Sequence, residues 1–175
     1  MQRVHVVGTS GSGKTTVAQR LAARLEVPHV ELDALYWGPG WTGAPPEAFR
    51  RRVSEALSGE AWVVDGNYSR VRDIIWERAD TVVWLDFPLA VIMARLLWRT
   101  LSRIVTREEL WHGNRESARM TFFSRDSILL WALTTYRRRR REYPALFAQP
   151  EHAHLRIIHL RSPRATRAWL AAISP

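Results

Sequence analysis

The sequence predicts an α/β fold, a parallel sheet covered by helices on both faces. Three observations predict it. Short apolar segments alternate with helix-like ones along the whole chain. The first apolar segment, RVHVV, runs directly into GTSGSGKTT, a glycine-rich turn that opens a helix. No internal repeat or linker interrupts the alternation, and the one biased stretch is the five arginines at 137–141.

Each element follows from local pattern. Arg3–Val7 is a short buried strand, and Gly13 to Leu25 is a helix, because Val17, Leu21 and Leu25 recur at i, i+4 and i+8. Pro28 to Leu32 is a second strand. Tyr36 to Pro46, rich in Gly, Pro and Trp, is a loop. Pro46 starts a helix to about Leu57, and Gly59 stops it. Ala61–Val64 and Thr81–Leu85 are the third and fourth strands. Pro88 opens a long helix to about Val105. Thr106 to Ser124 is mixed and polar, with a turn at Gly113-Asn114. Asp126 to Arg141 is a further helix, Leu155–Leu160 the fifth strand, and Pro163 opens the last helix.

At 175 residues the chain is expected to form one domain spanning 1–175. No apolar run approaches the roughly 18 residues of a membrane span. No signal pattern precedes the glycine-rich loop, and there is no cysteine for a disulfide or thiolate metal site. A cytoplasmic protein is the default expectation, and oligomeric state is left open. The net charge is +9, which suits an anionic ligand or nucleic acid. Between Arg95 and Arg141 twelve arginines face four acids, marking that block as a functional zone.

Lys14 is the only lysine among 26 basic residues. Gly8, Gly13, Lys14 and Thr15 satisfy G-x-x-x-x-G-K-[ST], in the strand-to-helix context this motif requires. Glycines let the loop wrap closely, so backbone N–H groups point inward at phosphates, and the helix start adds its positive dipole end. Lysine reaches the β- and γ-phosphates as a compact point charge, where guanidinium does not fit. The expected nucleotide contacts are Gly8, Ser10, Gly11, Ser12, Gly13, Lys14, Thr15 and Thr16, with the Thr15 hydroxyl toward Mg2+. Asp65 ends the third strand, where the magnesium-assisting acid of such folds sits. It is a candidate to hold the metal through water or to orient an acceptor. Asp86, after the fourth strand, is either a similar acid or a turn residue.

With these motifs the chain resembles the P-loop small-molecule and nucleoside monophosphate kinases of adenylate-kinase type. It is also similar to bacterial proteins labelled topology modulation proteins, through ELDALYW, VVDGNYSRVRD and WHGNRES. The resemblance implies a five-stranded parallel sheet ordered 2-3-1-4-5, a substrate-binding arm at about 33–60 and a short arginine-rich lid at about 106–124. It further implies ATP and Mg2+ as cofactors. Asp86-Phe-Pro88 leading to Arg95 and Arg99 resembles that family's adenine-stacking and phosphate-touching arginines. By the same resemblance Arg115, Arg119 and Arg125 are lid candidates, and Arg161 to Pro163 lies where the adenine-binding loop is expected.

The resemblance places Asp33 beside an acceptor hydroxyl, to accept its proton or orient it. Trp37, with Tyr36 and Trp41, is expected to cover the acceptor, and Asn67, Tyr68, Arg70 and Arg72 to face it. The catalytic set is then Lys14, Asp33, Asp65, Arg99, Arg115 and Arg119, with Thr15 and Asp65 at the metal. The expected function is a Mg-ATP-dependent phosphotransferase acting on a small molecule or nucleotide. The alternative is a nucleotide-binding regulator associated with nucleic acid, suggested by the net charge and the 137–141 run. Side chains on a helical run point all round, which argues against one groove-reading face.

Overall fold

The computed structural model describes residues 1–106, 113–114 and 128–173, with side chains described for all of these except 103–105 and 128–132. Five strands form one parallel sheet: β1 (Arg3–Gly8), β2 (His29–Glu31), β3 (Trp62–Asp65), β4 (Thr81–Leu85) and β5 (Arg156–Leu160). Their spatial order is β2-β3-β1-β4-β5, as expected. Val6 pairs with Asp65 and Gly8 with Leu85 in register, so the carboxyl ends of the three central strands finish together.

The helices are α1 (Lys14–Leu25), α2 (Leu32–Tyr36), α3 (Pro46–Ala56), α4 (Arg72–Arg78), α5 (Leu89–Thr106), α6 (Ile128–Phe147) and α7 (Pro163–Ala171). Strand alternation divides the core. Val4, Val6, Val63, Val83 and Leu85 face one side with Val17, Ala18 and Leu21 of α1. Val7, Val64, Val82 and Trp84 face the other with Phe49, Val53, Ile75 and Trp76. Among the described residues no helix is long and apolar enough to cross a membrane.

Three elements depart from the sequence pattern. β2 is only three residues long and gives way to α2 at Leu32, because Leu32 is fully buried by turning inward rather than continuing the strand. The helix α4 was not expected. It is short, and what stabilises it is burial of Ile75 and Trp76 against the sheet, a tertiary term. The helix α6 continues past Arg141 to Phe147 and carries Pro144 within it. An interior proline costs about 3 kcal/mol. Tyr143 and Phe147 stack at 5.5 Å and pack against Trp84 and Trp76, which offsets that cost.

His5, on β1, is buried. Trp76 Nε1 can only donate, so His5 Nδ1 accepts it at 2.8 Å, and His5 Nε2–H donates to the Gly66 carbonyl at 3.0 Å. The ring is therefore neutral. Burial lowers its pKa to about 4. A folded-state pKa below the unfolded one means that the unfolded chain binds more protons between about pH 4 and 6.5, so stability rises with pH across that window. Acidifying from pH 7.5 to 4.5 should cost about 2–3 kcal/mol through this residue. Urea unfolding of wild type and His5→Gln at both pH values checks it; parallel losses in the two proteins would remove His5 as the cause.

Candidate active site

The site lies at the carboxyl ends of β1, β3 and β4. β1 ends at Gly8, and the loop to Gly13 turns into α1. Gly13 takes a left-handed conformation (φ 88°), which a side chain would strain, and aims the first N–H groups of α1 into the loop. Ser12 is fully buried, and its hydroxyl has no hydrogen-bond partner among the described residues. Gly11 packs against Ile92 and Leu96 of α5, while Ser10 is half-buried and Thr16 exposed. Asn67 clasps the start of the loop: its amide nitrogen donates to the Gly8 carbonyl at 2.6 Å, and its oxygen accepts from Gly8 N–H at 3.2 Å. Lys14 is half-buried. Burial, then the charge of Arg139, lower its pKa to about 8.

Behind the lysine, the Thr15 hydroxyl lies 3.2 Å from Asp65 Oδ1 and 3.4 Å from Glu31 Oε1. Asp65 is 2% exposed, and its other oxygen is 2.9 Å from His29 Nε2. Glu31 and Asp65 are register partners on neighbouring strands. Sequence reasoning named Thr15 and Asp65 but missed Glu31 and His29. The available signal was their i, i+2 spacing on β2, which puts both on one face of the strand. One hydroxyl and two carboxylates form a hard oxygen donor set, and Mg2+ uses few protein ligands beside phosphate and water. This donor set stands beside Lys14 at the start of α1, where the left-handed Gly13 turn and the helix N-terminus suit a phosphate chain. The residues fit Mg-ATP.

Asp33 sits in the first turn of α2, and its charge reaches Lys14. Tyr68 O–H donates to Asp33 Oδ1 at 2.5 Å. Burial and the Asp33 charge push the Tyr68 pKa up, so the phenol stays protonated. Trp37 meets Tyr36 and Trp41 edge-on at 4.8 and 5.6 Å. Asn114 bridges to this arm, accepting from Trp41 N–H at 3.1 Å and donating to the Gly38 carbonyl at 2.9 Å. Arg72 lies over the Trp76 ring, 5.4 Å from its centroid, at the start of α4, and Arg70 is exposed. Asn67, expected at the acceptor, has its amide on the phosphate loop instead.

Toward the expected base side, Arg95 donates to the Ser12 carbonyl at 3.0 Å and lies over Phe87. The charge of Arg99 also reaches Lys14. Pro163 begins α7, whose cap Ser162 accepts from Ala165 N–H at 3.1 Å, with exposed Arg161 just before it. Arg115, Arg119 and Arg125 lie outside the described residues. In the 137–141 run, Arg139 is 8% exposed and Arg140 pairs with Asp86, while Arg137, Arg138 and Arg141 face outward. Sequence reasoning attached no site role to Arg139.

The chain is 28% identical over 129 residues to the uncharacterized protein YqaC of Bacillus subtilis strain 168, covering 73% of this chain and 72% of that one. Its fold is that of solved kinases. A shikimate kinase from Bacteroides thetaiotaomicron superposes with TM-score 0.59 at 14% identity, covering 97% of this chain and 94% of that chain. A gluconokinase from Sinorhizobium meliloti 1021 gives 0.52 at 21%, covering 97% and 91%. A sugar kinase from Janibacter sp. HTCC2649 gives 0.53 at 22%, covering 100% and 99%. A family model described as an AAA domain matches residues 4–172, nearly the whole chain, and the protein belongs to that family.

Proposed function

We propose that this protein is a Mg-ATP-dependent phosphotransferase that moves the γ-phosphoryl group of ATP to a hydroxyl of a small-molecule acceptor. The observation that carries it is the convergence of three parts. Lys14 opens α1, Thr15 lies against Asp65 and Glu31, and Asp33, held by Tyr68, acts on the same lysine from the arm. A nucleotide loop alone needs the first two; an oriented carboxylate on the acceptor side is what a kinase adds.

The roles follow from the geometry. The backbone of residues 8–13 and Lys14 bind and orient the phosphates. Thr15, Asp65 and Glu31 would hold Mg2+, which when bound neutralises charge on the β- and γ-oxygens. Tyr68 occupies Asp33 Oδ1, which leaves Oδ2 to receive the acceptor proton. As that proton passes to Asp33, the acceptor oxygen forms its bond to phosphorus, the bond to the β-phosphate oxygen breaks, and ADP leaves. Trp37 and Trp41 exclude water from the arm side.

The names of the solved neighbours, a gluconokinase, a shikimate kinase and a sugar kinase, point the acceptor search toward hydroxylated small molecules. The adenylate-kinase-type resemblance keeps nucleoside monophosphates on the panel. The topology modulation likeness and nucleic-acid association form the second reading; the arginine run does not favour it, since Arg139 is buried and Arg140 ion-paired.

The test is ADP release from Mg-ATP across sugars, sugar acids, cyclic polyol acids, nucleosides and nucleoside monophosphates, with Lys14→Ala as the blank. Stimulation by one acceptor class, absent in the variant, is expected. Flat release across the panel with ATP still bound would overturn the phosphotransferase reading.

A further inference from the structure

The five arginines at 137–141 are the one sequence feature that the proposed chemistry leaves unused. They lie on α6, and a single turn of that helix is fixed at two points. Arg140 Nε donates to Asp86 Oδ1 at 2.9 Å, and the other Asp86 oxygen, Oδ2, accepts from His159 Nε2 at 3.0 Å. Asp86 follows β4 directly and is buried with both oxygens engaged. His159 lies flat on Trp84, with ring centroids 4.0 Å apart. One turn on, Tyr143 O–H donates at 3.1 Å to the oxygen of Asn67, the residue that clasps Gly8 at the root of the phosphate loop. The helix is thus tied to the end of β4 on one side and to the end of β1 on the other.

Arg139 precedes Arg140 directly and lies one turn before Tyr143, on the Tyr143 side of the helix. It is 8% exposed, and its Nη1 is buried with no hydrogen-bond partner among the described residues. An unpaired buried guanidinium N–H is costly in a protein interior. It becomes favourable when an anion arrives, because guanidinium binds phosphate oxygens through strong charge-assisted pairs. Tyr143, its i+4 neighbour, reaches the root of the loop through Asn67, and the charge of Arg139 acts on Lys14 from the same side of the helix.

We propose that Arg139 is a catalytic residue that donates to the γ-phosphoryl group of a bound triphosphate, and that Asp86 is a positioning residue that sets Arg139 through Arg140. The proposal rests on the nucleotide reading of the phosphate loop, but not on the identity of the acceptor. It gives the arginine run a division of labour: one side chain into the site, its neighbour into the clamp, the rest to solvent.

The test is calorimetric binding of two probes with Mg2+, ADP and the non-hydrolysable β,γ-imido analogue of ATP. Losing a hydrogen bond to a charged group is worth roughly a 10- to 100-fold change. Arg139→Gln should weaken the imidotriphosphate by about that factor and ADP by less than about twofold. Arg139→Lys, which keeps the charge and loses the fork, should fall between wild type and Arg139→Gln. Asp86→Asn and Arg140→Gln should show the same triphosphate-selective loss, and Arg140→Gln should add nothing in the Arg139→Gln background. Equal weakening of both probes by Arg139→Gln, or full additivity with Arg140→Gln, would overturn the proposal. Wild-type protein that binds neither probe would overturn the phosphate-loop reading and this proposal with it.

Discussion

Replacing Lys14 with alanine is expected to lower kcat/KM for Mg-ATP by about 10³-fold. Removing one preorganised donor at a site of developing charge costs on the order of 10²–10³ in rate, and here a ground-state phosphate contact goes as well. The fold should survive, because burial lowers the pKa of the lysine to about 8 and its ammonium gains little from the surrounding protein. Lys14→Arg should not restore activity, since a planar fork cannot replace a point charge in a loop closed by Gly13. The same residue sets a pH signature. With a free-state pKa of about 8, the lysine loses its proton as pH rises above that value, and binding of the anionic triphosphate then requires proton uptake. ATP affinity should therefore be flat below pH 7 and fall above pH 8, by up to about tenfold per unit. Calorimetry in buffers of different ionisation enthalpy at pH 8.5 measures the uptake. Zero uptake, with affinity level to pH 9, would show that the lysine is not held near pKa 8 in the free protein, and loss of binding in Lys14→Ala then tests the phosphate contact separately.

Asp33→Asn carries the second large effect. It should lower kcat by about 10²–10⁴, the range of general acid–base catalysis, while ATP affinity changes little. The asparagine keeps the shape and can still accept from Tyr68, so a folding defect is not expected. Tyr68→Phe provides the comparison. It leaves the carboxylate but removes the 2.5 Å hydrogen bond that orients it, and should give a smaller loss in kcat. Single-turnover measurements with the acceptor found by the panel separate the two. An Asp33→Asn protein with full kcat would remove this carboxylate from the proton path and leave it a binding residue.

The site was legible in the sequence in proportion to how local its parts are. Gly8 to Thr16 is contiguous, and its conformation is set by glycines and a helix start, so the motif spelled it out. Asp65 was found because strand ends are where such sheets collect ligands. Glu31 was hidden because it reaches Thr15 only through β2 lying beside β3, a neighbour relation that no local pattern encodes. Asn67 was read as facing the acceptor because it follows Asp65; the structure instead sets its amide on Gly8.

By itself, the sequence determined the parallel sheet, its five strands and the phosphate loop, because alternating apolar runs and glycine turns are dictated by residue-level burial and backbone freedom. Tertiary structure decided the rest. It turned Leu32 into a helix and formed α4 around Trp76. It also carried α6 through Pro144, since buried aromatic contacts outweigh local propensity there. It chose one arginine of five to bury. Five identical side chains differ only in where the helix faces, and that direction is fixed by Asp86 and Asn67, more than fifty residues away along the chain.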